Sequence, residues 1–248
     1  MCVIIGTIGK EKVSEKEIRQ AWEGNSDGAG MAWRQGDGKI RVEKGFMKLK
    51  EFERAYEQIN VFPHVLHFRI GTSGDKCPEL THPFPCDGHT KNSLEFTADE
   101  VLFHNGIVSN WKDLLFNLAP ALKKGELKKM LNEPLNDTRV IAYYVERIGK
   151  EILGLASGKW LHFDKDNLTM YGQGWDKENK FFYSNTSFRH SGKYLWQSGN
   201  SNWDSDISYY GRANTRTEYA SALGEGEDKE ERIGKFSLFK DLKNRYAK

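Results

Sequence analysis

The chain has 248 residues with 37 basic against 35 acidic side chains, a formal charge of +2, and is 38% hydrophobic and 29% charged. That length allows one large domain or two small ones, while 14 Phe, 10 Tyr and 7 Trp exclude a wholly disordered chain and the near-balance of charge argues against a dedicated nucleic-acid binder. No apolar run approaches the roughly 18 residues of a membrane-spanning helix, the opening run Cys2 to Ile5 does not read as a secretory leader, and Cys2, Cys77 and Cys86 are too few and too odd in number for a disulfide framework, so a cytoplasmic protein is expected.

In chain order, an apolar strand opens the sequence, and Ser14 with Glu17 three residues on predicts a capped helix to about Glu23, with Ile18, Ala21 and Trp22 on one face. Ala29 to Arg34 and Lys39 to Lys44 flank the turn residues Gly36, Asp37 and Gly38 and read as a hairpin. Leu49, Phe52, Tyr56 and Ile59 recur at helical spacing. A strand from His64 to Ile70 runs into a turn at Gly71 to Gly74, and a second, Val101 to His104, ends at Asn105 and Gly106. Helical patterns follow over Trp111 to Leu118 and around Pro120 to Leu131. The clearest helix begins at Asp137, with Val140, Ile141, Tyr144, Val145 and Ile148 on one face. Lys159 to Phe163 and Leu168 to Tyr171 pair around Asp166 and Asn167, and an aromatic strand lies near Phe181 to Ser184. Strands at both ends enclose helices, which predicts one α+β domain over residues 1–190. Residues 191–248 read as a polar, flexible tail, with Phe236, Leu238, Phe239 and Leu242 forming a possible short terminal helix.

Candidate chemistry starts at Cys2. A small residue after the initiator Met normally lets Met1 be removed, and the mature chain would then carry a thiol and a free α-amine on one residue. That amine, of ordinary pKa about 7.7 to 8.0, can take the thiol proton without a histidine. The alternative is a small buried residue in a first strand. Asn105 and Gly106 offer a side-chain amide and a backbone N–H close together, the two donors an oxyanion needs, or else a plain Asn-Gly turn. Arg69, just before the glycine loop, could clasp a carboxylate bidentately or lie at the surface. Asp137 could hold an ammonium or serve as the helix N-cap.

The segments MCVIIG, NSDGAGMAW, HFRIGTSG, THPF, FHNGIVSN and NDTRVIAYYV stand in the order found in class II glutamine amidotransferases, and over residues 1–190 the chain resembles their N-terminal-nucleophile glutaminase domain, in its small stand-alone form. The resemblance implies a four-layer αββα sandwich. It implies Cys2 as nucleophile and Asn105 with Gly106 as oxyanion hole. Arg69 and Thr72 would hold the glutamine α-carboxylate and Asp137 its α-amine, with no cofactor and no metal. Ser73 departs from the pattern, because members that feed a fused synthase commonly carry His there. After residue 190 too little patterned sequence remains for a synthase, so the ammonia would pass to a separate acceptor enzyme.

Two other readings compete. The same apparatus could cleave a different peptide or γ-glutamyl amide, although Arg69 and Asp137 together favour a free amino-acid end. A non-catalytic binding or metal module is the third, since His64, His67, His82 and His89 lie near Cys77 and Cys86. None of those spacings matches a zinc finger or ribbon, and a strand would turn His64 and His67 to opposite faces.

Overall fold

A computed structural model describes residues 1–71, 75–86, 93–118 and 126–190; the expected tail at 191–248, together with Thr72, Ser73 and His89, lies outside them. The first strand, β1 (Val3–Thr7), is buried along its length. Helix α1 (Glu15–Gly24) starts where expected, with Ser14 Oγ accepting from Glu17 N–H at 3.3 Å and donating to Glu17 Oε2 at 3.0 Å. The hairpin is β2 (Ala29–Arg34) with β3 (Ile40–Phe46), followed by α2 (Leu49–Glu57) and β4 (His64–Phe68). β4 stops two residues short of the expected Ile70; beyond it Arg69 still bonds the Asp27–Gly28 backbone, and Gly71 N–H turns to the Asp27 carboxylate.

Three short strands escaped the sequence reading: β5 (Phe84–Pro85), β6 (Glu95–Ala98) and, further on, β10 (Asp176–Glu178). At two to four residues each, they are too short for alternation to register. Between them run β7 (Glu100–Asn105), α3 (Trp111–Leu118), α4 (Glu126–Leu131), α5 (Asp137–Ile148), β8 (Lys159–Asp164) and β9 (Leu168–Tyr171). The last strand is β11 (Phe181–Tyr183). Asp137 is not the N-cap of α5. Asn136 takes that place, its side chain accepting from Arg139 N–H, and Asp137 begins the helix proper.

The fold is α+β, with antiparallel pairing throughout the described strands. A seven-stranded sheet runs β10-β11-β1-β4-β2-β3-β6, and a four-stranded sheet runs β5-β7-β8-β9. Alternation along the strands assigns each face to a layer. Val3, Ile5, Leu66 and Phe68 pack with Ile18 of α1 and with Phe52 and Tyr56 of α2. Ile4, Ala32 and Val65, from the opposite face of the large sheet, pack against Val101, Phe103, Leu161 and Phe163 of the small sheet. Leu102 and Trp160, on the outer face of the small sheet, meet Ile141, Ala142 and Val145 of α5. No helix among the described residues is long and apolar enough to cross a membrane.

Candidate active site

The β1–β4 register pairs Val3 with Phe68, so the next residues outward, Cys2 and Arg69, leave the large sheet at one end. Cys2 is 9% exposed, and its Sγ donates a long hydrogen bond of 3.5 Å to Ile70 O. Burial pushes the thiol above its ordinary value, and Asp137 pushes the same way, while the positive charges of Arg69 and the chain's amino group pull it down. Those influences put Cys2, Arg69 and Asp137 in one electrostatic neighbourhood.

Arg69 is 2% exposed, which removes the surface alternative. Its backbone N–H donates to Gly28 O at 2.8 Å and its Nη1 to Asp75 O at 2.9 Å, so both ends of the residue are held. The start of the adjoining loop is anchored by Asp27, which accepts from Gly71 N–H at 2.8 Å and pairs with Lys76 at 2.8 Å. Burial pushes the Asp27 carboxyl up, but its hydrogen bonds from Lys76 and Gly71 outweigh that and hold it below its usual value. The sequence reading missed Asp27, although it stands inside one of the recognised segments. Thr72 lies outside the described residues.

Asn105, at the end of β7, reaches across to the large sheet: its Nδ2 is 2.9 Å from Ser184 Oγ, and Ser184 exchanges two backbone-edge hydrogen bonds of 2.9 Å with Ile4. Asn185 Nδ2 donates to Cys2 O at 2.8 Å. The residues just after β11 therefore tie the start of β1 to the end of β7. Gly106 admits no side chain, because a Cβ there would lie 2.7 Å from Gly158 Cα and 2.8 Å from His104 Nε2.

Asp137 is 3% exposed and accepts from two backbone N–H groups, Val108 at 2.9 Å and Thr138 at 2.8 Å. It thereby fixes the segment that follows Asn105 and Gly106. Behind it runs a directed polar chain. Ser157 O can only accept, so His104 Nε2 carries the proton in their 3.3 Å contact and Nδ1 accepts from Thr138 Oγ1–H at 3.1 Å. Thr138 Oγ1 in turn accepts from His82 Nε2–H at 2.9 Å. His104 stacks on Trp160 at 3.6 Å, and His82 packs on His67 at 4.1 Å. Burial pushes His104 down to about 4, His67 to about 3 and His82 well below its ordinary value, so the chain is neutral at pH 7.

His67 Nε2 meets His104 O at 3.2 Å, whereas His64 Nε2 meets Tyr56 Oη at 2.7 Å on the opposite face of β4. Among the described residues no group of three or more His, Cys, Asp or Glu side chains is placed to hold a metal ion. Lys44 of β3, buried over the Phe84 ring at 4.2 Å, donates to Glu79 O and Thr81 O, and burial pushes its ammonium down to about 7. Nothing in the sequence pattern had singled it out.

No family model matches the chain. It is similar to glutamine–fructose-6-phosphate aminotransferase (isomerizing) of Pyrococcus horikoshii, 30% identical over 149 residues that make up 59% of this chain and 22% of that protein. It is likewise similar to the proteins of that name from Aquifex aeolicus, 31% identical over 153 residues (59% of this chain and 23% of that one), and Bacteroides thetaiotaomicron, 28% identical over 151 residues (59% and 22%). The chain thus spans less than a quarter of the length of the curated relatives it matches.

Proposed function

We propose that the chain is a glutaminase of the class II glutamine amidotransferase type, with Cys2 as N-terminal nucleophile. One observation carries the reading: the Cys2 thiol lies in the joint field of Arg69 and Asp137 at the end of β1 that Ser184 ties to Asn105. The similarity to aminotransferases named for glutamine supports the substrate. The succession of packed clusters, from helices through two facing sheets to helices, supports a four-layer αββα sandwich of the N-terminal-nucleophile type.

In this mechanism Met1, which is 81% exposed, is removed and leaves the α-amine on Cys2. The amine takes the thiol proton, and the thiolate attacks the carbon of the glutamine side-chain amide. Asn105 Nδ2 and Gly106 N–H stabilise the resulting oxyanion. Collapse of the tetrahedral intermediate breaks the C–N bond as the ammonium returns its proton to the leaving nitrogen, giving ammonia and a thioester. Water, deprotonated by the same amine, then releases glutamate and restores the thiol. Arg69, with Thr72, holds the α-carboxylate and Asp137 the α-amine. The ammonia released goes on to an acceptor.

The test is the intact mass of the purified protein before and after incubation with a diazoketone analogue of glutamine, with Cys2→Ala alongside. Expected are loss of Met1, one adduct on the wild-type chain and none on the variant, with glutamine turnover abolished by the substitution. A processed chain that takes no adduct and releases no ammonia from glutamine overturns the reading.

A further inference from the structure

Asn105 is 5% exposed, and the partner of its amide comes from a distant part of the chain. Ser184, fully buried just after β11, stands 2.9 Å from Asn105 Nδ2 and also accepts Ile4 N–H at 2.9 Å. With the amide in this orientation Ser184 Oγ faces two N–H donors, while Asn105 Oδ1 is buried with no hydrogen-bond partner among the described residues. A buried carbonyl oxygen without a donor is unfavourable, and a serine hydroxyl that finds no acceptor for its proton among the described residues is a mismatch.

Turning the amide by half a revolution removes both defects and sets the two N–H groups of Nδ2 at the buried position that Oδ1 held, where they lack an acceptor among the described residues. Its oxygen and nitrogen are nearly the same size, so the exchange alters no packing. Ser184 Oγ–H then donates to Asn105 Oδ1, while Oγ keeps Ile4 N–H as its donor. Nδ2 then lies on the buried side of the amide away from Ser184, and its two N–H groups are satisfied only when an acceptor such as an oxyanion reaches them. Neighbouring Asn185 is held in a comparable way: its Oδ1 accepts from Ser187 Oγ–H at 2.7 Å, which leaves Nδ2 to donate to Cys2 O at 2.8 Å.

We propose that Ser184 is a positioning residue whose hydroxyl, held by Ile4 N–H, selects the Asn105 orientation that presents Nδ2 as the oxyanion donor. The proposal rests on the glutaminase reading for its kinetic consequence and on hydrogen-bond complementarity for the orientation. It joins the first strand, which carries the nucleophile, to the donor through one side chain. Donor placement then depends on the pairing of β11 with β1.

Two measurements test it. The first is a double-mutant cycle in glutamine hydrolysis with Ser184→Ala, Asn105→Ala and the pair, together with Ser184→Thr. Because loss of one oxyanion donor costs about a hundredfold or more in rate, Ser184→Ala should lower kcat by about tenfold or more with KM within about twofold. It should add less than about twofold in the Asn105→Ala background, and Ser184→Thr should restore most of the loss. An equal drop in both backgrounds, or none in either, overturns the proposal, because a general loss of packing would be blind to Asn105. Ser184→Cys, whose thiol donates weakly, takes the place of Ser184→Ala if the latter does not fold. The second measurement is neutron diffraction from the wild-type protein, which reads the Asn105 orientation without turnover. Deuterons on the amide atom away from Ser184 support the proposal, and deuterons on the atom facing Ser184 overturn it. If the wild type does not hydrolyse glutamine, the glutaminase reading fails while the orientation is still decided by this second measurement.

Discussion

Arg69 illustrates how a single residue gains meaning from its surroundings. A guanidinium at 2% exposure, with burial pressing its pKa below the usual value, is costly unless its donors are used. One of them is committed to Asp75 O, which orients the planar group. Lysine has neither the planar fork nor a second fixed donor edge. With Arg69 in its proposed role as bidentate holder of the glutamine carboxylate, Arg69→Lys is expected to raise KM for glutamine by about tenfold or more with a smaller change in kcat. Steady-state kinetics across a glutamine series checks it, and an unchanged KM would put the carboxylate elsewhere. At this scale Cys2, Arg69, Asn105, Gly106 and Asp137 could be proposed from the sequence, because each carries a distinctive chemistry within a short segment. Ser184 and Asn185 were not. Two small polar residues after a strand have many ordinary uses, and theirs depends on Ile4 and Cys2, 180 and 183 positions away.

Among the elements, α2 is held by more than its apolar face. Tyr56 packs on Phe52, and its hydroxyl accepts Val13 N–H at 2.9 Å while donating to His64 Nε2 at 2.7 Å. One phenol thus joins α2 to β4 and to the segment entering α1. Burial pushes its pKa well above the ordinary value, so it stays protonated and able to donate. Tyr56→Phe keeps the ring and leaves a buried N–H and a ring nitrogen without partners, at an expected cost of about 1–3 kcal/mol. Urea unfolding of the two proteins measures it, and equal midpoints would mean that both groups find other partners. The helices α1, α2, α3 and α5 were legible from their period and the first from its cap, since the covered face recurs every three to four residues. The cap of α5 shows the limit of such reading: Asn136 and Asp137 are both good capping residues, and only backbone geometry separates them.

For the molecule as a whole, the packed layers bury His64, His67, His82 and His104, and burial lowers all four, to about 4, about 3, well below the ordinary value and about 4 respectively. The unfolded chain takes up these protons near pH 6.5, whereas the folded chain resists until about pH 4 or lower, so the unfolded state binds more protons in between. Their contribution to stability is complete above about pH 6.5 and is lost as pH falls towards about 4. Asp27 and Asp164, held below their ordinary values, act at lower pH. Lys44, at about 7, acts between there and its unfolded value and so stays outside the window. The urea midpoint should drop steeply between about pH 6.5 and 4.5. A flat profile over that range would mean that the histidines titrate normally in the folded protein.

Periodicity and residue type, both local properties, were enough to determine an α+β chain and most of its longer elements, and to single out the residues proposed as nucleophile, oxyanion donor and amino-acid clasp. Tertiary structure decided which strands are neighbours. In the order β10-β11-β1-β4-β2-β3-β6, the last strand lies beside the first, and that pairing delivers Ser184 and Asn185 to the start of β1. The physical reason is that alternation specifies which face of a strand is covered but not which edge meets which. Edge pairing is settled by the packing of the whole chain, and with it the neutral histidine chain behind Asp137 and the link from Ile4 through Ser184 to Asn105.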